Sequence, residues 1–356
     1  MTGFIVVLSR RNFFHVAGVA LVVQALPLQA KQTDSPVAQK VRTTFSPRQN
    51  AKAEQPAALP KGKAGIVVDQ VSGQVIEAYN ADTSLQPASL TKLMTAYLTF
   101  AALREGAKQP TAAPLAPGQL RLDTPLPISA KAAAQEKSKL FLKAGGTIIV
   151  RDGLRGLIGP SANDAAMVLA EGIAGSEAAF VAQMNAKAKE FGMSKTNYAN
   201  PSGLEDSNQR STVRDTAILM QRLRTDFPEY YPLFKDPVFL EPGGWRYNGV
   251  AHYSRAMTFG LAPDIKVKPK PGTHIYPGIE AAKSGYLSSA GCNMAANAMR
   301  EGRLVTAVVI GFENGIARFK EMTRLLDAGF AAPIPQASPA RPSAPAASAT
   351  SAALVN

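Results

Sequence analysis

The 356-residue chain has one cysteine, Cys292, so no internal disulfide can form. Its three histidines are scarcely more useful for chemistry. His15 lies in an N-terminal apolar segment, and His252 and His274 are not spaced as metal ligands on a helix. With no Cys/His cluster the sequence offers no metallohydrolase site, and a Ser-His-Asp triad has few histidines to draw on. No internal repeat occurs. The apolar run that ends at Leu28 is interrupted by His15, Gly18, Gln24 and Pro27, which argues against an uncleaved membrane anchor. Basic residues interleaved with aromatics, the pattern of an RNA-binding surface, are also missing.

What is present is a 46% hydrophobic chain, enough for a substantial core, with a formal net charge of +13. That charge is unevenly placed. Residues 1–63 hold nine Lys/Arg against Asp34 and Glu54, or +7, and the tail from Ala331 adds only Arg341. Most of the basicity therefore lies in the leader and linker and not on a nucleic-acid surface, so no nucleic-acid partner is expected. The basic linker suits loose association with anionic envelope polymers or lipid head groups.

Residues 1–30 read as an export signal with a cleavage point after Ala30. Arg10-Arg11-Asn12-Phe13-Phe14 fits the twin-arginine type, and an ordinary secretory signal with two adjacent arginines is the alternative. Residues 31–61, rich in Lys, Gln, Ala and Pro, read as a disordered linker, and residues 331–356 as a disordered Ala/Pro/Ser tail. The folded domain is expected over 62–330. Its first elements form a hairpin, Gly65–Asp69 and Val75–Tyr79. A Pro/Ala-rich loop over 107–127 follows the first helix, and the chain from Lys131 to Gly192 reads as helical. Thr212 opens a helix that stops before Pro228, and 236–278 looks irregular. Three strands follow, Ile279–Leu287, Ala290–Met299 and Leu304–Phe312, the last pair turning at Gly302, and a helix closes over Ile316–Ala328. Strands at both ends and helices between them predict an α+β fold. One antiparallel sheet is completed by both termini, with a helical lobe and a cleft between the two.

The stretch Pro87–Tyr97 stands out. Lys92 is the only charged residue between Asp82 and Arg104, and apolar side chains surround it on every helical face: Leu90, Leu93, Met94, Tyr97, Leu98 and Phe100. A helix apolar all round is buried, and a buried lysine must find a partner or lose its proton. Ser89 lies one turn earlier on the same face, as a nucleophile beside its base would. A helix-capping serine with a snorkelling lysine is the other reading.

Two further short motifs each occur once. Ser161-Ala162-Asn163 sits where a loop enters a helix, and Lys283-Ser284-Gly285 sits on a strand. Singly, the first reads as a helix cap and the second as a solvated strand lysine. Together with Ser89-x-x-Lys92 they have the order and settings of the motif triplet of class A β-lactamases and penicillin-binding proteins. The chain resembles the serine D-alanyl-D-alanine carboxypeptidases, the low-molecular-mass penicillin-binding proteins, over about residues 62–330. Ser138–Lys143, Asn185–Gly192, Asn200–Leu204, Tyr286 and Ala290–Asn293 extend the likeness.

The resemblance implies a serine β-lactamase/transpeptidase-like fold, no cofactor and no metal. It implies a peptidoglycan stem peptide as substrate and β-lactams as inhibitors. Ser89 would attack the carbonyl between two D-alanines and Lys92, neutral, would take its proton. Ser161 would relay that proton, linked to Lys283, and Asn163 would orient Lys92 and the substrate amide. The N–H groups of Ser89 and Tyr286 would form the oxyanion hole. Lys283 and Ser284 would meet the terminal carboxylate, and Gly285 and Tyr286 belong to the same substrate-binding set. Arg255 aligns with an arginine that binds this carboxylate, but the stretch from Arg255 to Lys283, with its Lys266–Lys270 loop, is longer than usual, and a surface arginine is the alternative. No amphipathic membrane helix is seen near Leu354-Val355, so a soluble periplasmic enzyme is expected. A D,D-endopeptidase or a β-lactamase on the same fold, or a non-catalytic peptidoglycan-binding protein, are the competing functions. The Glu-x-x-x-Asn loop of class A β-lactamases is not evident after Ser161.

Overall fold

The computed structural model of the chain describes residues 62–236, 245–247, 250–252 and 276–333. The leader, the linker, the tail beyond 333, Arg255 and the Lys266–Lys270 loop lie outside the described residues. The chain starts with β1 (Ala64–Asp69) and β2 (Val75–Tyr79), an antiparallel hairpin. Asp69 closes its turn by accepting from the Val71 and Ser72 amides at 3.1 and 3.0 Å. The main sheet is completed from the other end of the domain by β7 (Ile279–Leu287), β8 (Gly291–Arg300) and β9 (Arg303–Phe312). The strand order is β2-β1-β9-β8-β7, every neighbouring pair antiparallel. Glu301 and Gly302 join β8 to β9 with φ of 50° and 80°. A two-residue turn with both central φ positive matches the twist of the strands it joins.

The helices are α1 (Lys92–Ala107), the one-turn α2 (Ala130–Ala133), α3 (Val150–Ile158), α4 (Asn163–Ala174), α5 (Glu177–Glu190), α6 (Val213–Asp226) and α7 (Gly315–Ala331). Ser176 and Thr212 cap α5 and α6 by accepting from the Ala179 and Asp215 amides. Alternation along the strands gives the sheet two apolar faces. Ile66, Ala281, Ala295, Val308 and Ile310 face the helices α1 to α6. Val67, Ala282, Met294, Val305 and Val309 face α7 and its Met322, Leu325 and Leu326. The active cleft therefore forms where the helical lobe meets the β7 edge of the sheet.

The span from Lys131 to Gly192 is not continuously helical. Residues 134–146 are irregular, and β3 (Pro125–Pro127) pairs with β4 (Thr147–Ile149). The cause is tertiary. The buried Asp164 carboxylate takes the amides of Leu140 and Leu142, and Phe141 between them has φ 61°. Two charge-assisted bonds to a buried acceptor outweigh the helix propensity of a Lys/Ala-rich segment. A small ribbon, β5 (Trp245–Tyr247) with β6 (Val250–His252), lies in the stretch read as irregular.

Candidate active site

The turn that carries Ser89 comes first. Ala88–Thr91 form a single 3-10 turn that runs directly into α1. Every residue from Thr91 to Phe100 is buried. Ser89 does not cap the helix, since no side chain accepts at either N-terminus, which removes the capping reading. Ala88 sits at φ 50°, a conformation an alanine adopts at a cost. Three neighbours hold it there. Gly203 packs so closely that an added Cβ would lie 1.9 Å from the Ala88 carbonyl oxygen. Gly285 of β7 lies against the other side, where an added Cβ would be 3.1 Å from the Ser89 nitrogen. Asn293 of β8, fully buried, donates to the Gln86 carbonyl at 3.1 Å and accepts from the Gly311 amide at 2.9 Å. The turn is thereby tied to the sheet from which the site's far wall rises.

Lys92 is 1% exposed. Its Nζ lies 2.7 Å from Asn163 Oδ1, 2.5 Å from the Ser202 carbonyl oxygen and 3.0 Å from Ser89 Oγ. Two of these three contacts are acceptors only, because Asn163 Nδ2 donates elsewhere, to the Glu136 carbonyl at 2.9 Å. A neutral amine has two N–H donors and one lone pair. In that form the two donors would serve the two obligate acceptors and the lone pair would face the Ser89 hydroxyl. The electrostatics agree: burial, and then the charge of Lys283, hold Lys92 well below the usual lysine range, against the opposing pull of Asp164.

Ser161 and Asn163 do not cap α4 either. The cap position is Ala162, without a side-chain bond. Ser161, at φ 65°, instead accepts from Lys283 Nζ at 2.7 Å. Lys283 is 2% exposed, not a solvated strand lysine, and also donates to the Ser284 carbonyl at 2.8 Å. The structure thus brings Ser89, Lys92, Ser161, Asn163 and Lys283 into one constellation, Ser89–Lys92–Asn163 on one side and Ser161–Lys283 on the other.

Ser89, Ser161 and Asn163 line a cleft of about 630 Å3, together with Ser284, Gly285 and Tyr286, while Lys92 and Lys283 are buried behind them. β7 is the edge strand of the main sheet, paired only with β8. Adjacent residues on it face opposite ways. Lys283, opposite Ala295, faces the helical lobe. Ser284 and Tyr286, opposite Met294 and Cys292, share the face covered by α7. From α7 comes a residue that the motifs missed. Arg318 is 8% exposed, lines the same cleft and lies in the electrostatic reach of Cys292. Burial lowers its pKa from the usual arginine value, but a guanidinium keeps its charge in a protein. A forked cation that lines the same cleft as Ser284 suits a planar anion. Its only sequence signal is weak: Arg318 shares the inward face of α7 with Met322 and Leu325, where an apolar residue belongs. Arg255, the expected carboxylate partner, lies outside the described residues. Among the described residues no group of three or more His, Cys, Asp or Glu side chains is placed to hold a metal ion.

In comparisons with known proteins, a family described as D-alanyl-D-alanine carboxypeptidase matches residues 50–314. The chain is 31% identical over 280 residues to D-alanyl-D-alanine carboxypeptidase DacC of Escherichia coli (strain K12), covering 78% of this chain and 64% of that protein. It spans less than two thirds of the length of this relative. Among solved structures, penicillin binding protein 5 from Haemophilus influenzae superposes with a TM-score of 0.63 at 30% identity, over 77% of this chain and 73% of that one. Penicillin-binding protein D2 from Listeria monocytogenes, in its cefotaxime-bound form, superposes with a TM-score of 0.56 at 29% identity, over 78% of this chain and 100% of that one.

Proposed function

Because the chain belongs to the D-alanyl-D-alanine carboxypeptidase family, we propose that it is a serine carboxypeptidase that removes the terminal D-alanine of peptidoglycan stem peptides. The observation that carries this reading is the Lys92 amine, buried, 3.0 Å from Ser89 Oγ and within hydrogen-bond reach of the Asn163 and Ser202 carbonyl oxygens. Ser89 Oγ attacks the carbonyl carbon between the two D-alanines as its proton passes to Lys92 Nζ. The oxyanion is held by the backbone N–H groups of Ser89 and Tyr286. The tetrahedral intermediate collapses by breaking the C–N bond. The leaving nitrogen takes a proton through the Ser161 hydroxyl, which Lys283 Nζ contacts at 2.7 Å. D-Alanine departs with its carboxylate released from Ser284 and Arg318. Water, deprotonated by the same amine, then hydrolyses the ester on Ser89. Arg318 is a carboxylate anchor in this reading beside the Arg255 that the resemblance aligns with that role, which lies outside the described residues.

The Listeria neighbour holds cefotaxime, and by extension β-lactams acylate Ser89 here. An exported, periplasmic location fits the substrate and is part of the same proposal. The test is mass spectrometry of purified muropeptides after incubation with the enzyme. Loss of one alanine from pentapeptides is the expected result. Splitting of cross-linked dimers without that loss would replace the carboxypeptidase with an endopeptidase. Fluorescent penicillin that fails to label the wild type, or labels Ser89→Ala equally, would remove the nucleophile.

A further inference from the structure

The cleft has a cation that the proposed chemistry leaves unused. Lys137 lines it from the helical lobe, on the irregular segment between α2 and β3's partner strand. Its backbone is held on both sides by one site residue. The Glu136 carbonyl accepts from Asn163 Nδ2 at 2.9 Å, and the Ser138 carbonyl accepts from the Asn163 amide at 2.7 Å. The Lys137 side chain is therefore fixed at its root to the same asparagine that contacts Lys92. It is exposed, and no ion pair or hydrogen bond engages it among the described residues. Its neighbour Lys139 differs: that amine is committed to the Ala133 and Gln135 carbonyls at 2.8 and 2.9 Å.

The cleft lining contains no aspartate and no glutamate. Its two lining cations stand apart by structure. Arg318 reaches it from α7 on one face of β7, and Lys137 reaches it from the helical lobe. A ligand bearing one carboxylate satisfies Arg318 and Ser284 and leaves Lys137 facing solvent. Resting on the carboxypeptidase reading, the Ser284–Arg318 end takes the terminal carboxylate. The part of the peptide that precedes the scissile bond then runs between Lys137-Ser138 and the free edge of β7 at Tyr286-Leu287. Tyr286, 63% exposed, offers an aromatic face to the same part of the peptide.

We propose that Lys137 is a specificity-determining residue that selects peptides carrying a free side-chain carboxylate on the residue before the D-alanine pair. The pairing is a rim contact between a mobile ammonium and a carboxylate. Its selectivity is therefore modest, roughly two- to fivefold, and weakened by salt.

The experiment uses the full chain and two synthetic acyl-D-alanyl-D-alanine peptides that differ only at that side chain, one ending in a carboxylate and the other in its carboxamide. The readout is the ratio of their kcat/KM for D-alanine release. The wild type should favour the carboxylate by about two- to fivefold at low ionic strength, and less at high salt. Lys137→Met should bring the ratio to about one, and Lys137→Glu should invert it. Lys143→Met, exposed on the same segment but outside the cleft lining, should keep the wild-type ratio. A wild-type ratio of one, or a preference that survives Lys137→Met, overturns the proposal. So does a preference lost equally in Lys143→Met, because that would be a general field and not a contact. The same two peptides also compete with fluorescent penicillin for Ser89. If neither is cleaved, the carboxypeptidase reading fails, whereas equal competition by both overturns the role of Lys137.

Discussion

Gly203→Ala should slow acylation of Ser89 by about a hundredfold without unfolding the protein. The argument begins with the distance. A Cβ on residue 203 would lie 1.9 Å from the Ala88 carbonyl oxygen and 2.4 Å from its carbon, where real Cβ atoms do not come closer than 3.0 Å. About 1.1 Å must therefore be taken up between the two segments. The obstacle is backbone, so no side chain can swing aside. Ala88 already sits at φ 50° and is the residue before the nucleophile, so the displacement passes to Ser89. A misplacement of about 1 Å at a reacting atom costs on the order of a hundredfold in rate, or about 2.7 kcal/mol on the barrier. Gly203 also has φ 82°, which adds a cost of about 1–2 kcal/mol in stability for an alanine. That second effect needs a control, and Gly192 supplies it. Gly192 has φ 72° with nothing within 4 Å of an added Cβ. Gly192→Ala should lose about the same 1–2 kcal/mol, a few degrees of Tm, and keep its acylation rate. Stopped-flow acylation by a fluorescent penicillin, run beside thermal melts, reads both quantities. Acylation of Gly203→Ala within threefold of wild type, or an equal slowing in Gly192→Ala, would refute the reasoning.

Two other outcomes follow from the site. The acylation rate should rise with pH as Lys92 loses its proton. Lys283→Gln removes the positive charge that helps to depress the Lys92 pKa, so the acid limb of the pH–rate profile should move to higher pH; a limb that stays, or moves down, would count against the coupling. Arg318→Leu should raise KM for peptides ending in a free carboxylate by about ten- to a hundredfold, and leave a C-terminal amide analogue nearly unaffected. An equal loss on both would mean that Arg318 only packs α7 against the sheet.

Much of the fold was legible because its signals are local. The hairpin over 64–79, the three-strand meander and the closing helix are carried by alternation, turn residues and caps within a dozen residues of one another. The constellation was legible as three short motifs in the right order. Their meeting in space was an expectation that only the packing of α1, α4 and β7 around one cleft could address. Other features were hidden for a physical reason. Residues 134–146 have a helical composition, and it is Asp164, more than twenty residues later, that draws their amides into an irregular path. Arg318 lies in an ordinary amphipathic helix, and nothing local shows that it lines the same cleft as Ser284. Asn293 belonged to a recognised stretch, but its bonds to Gln86 and Gly311 join three elements that no spacing rule connects.

The opposite orientation of Lys283 and Ser284 has an evolutionary consequence. Because neighbours on a strand must point to opposite sides of a sheet, the proposed proton path and the proposed anion anchor lie against different layers of the protein. Changes in α7 can retune which carboxylate is accepted while the helices on the other side keep the proton path intact. Changes among those helices can adjust acid–base behaviour without disturbing recognition. One dipeptide thus divides the domain into two modules open to separate selection, an arrangement under which a single catalytic core can serve many related peptides.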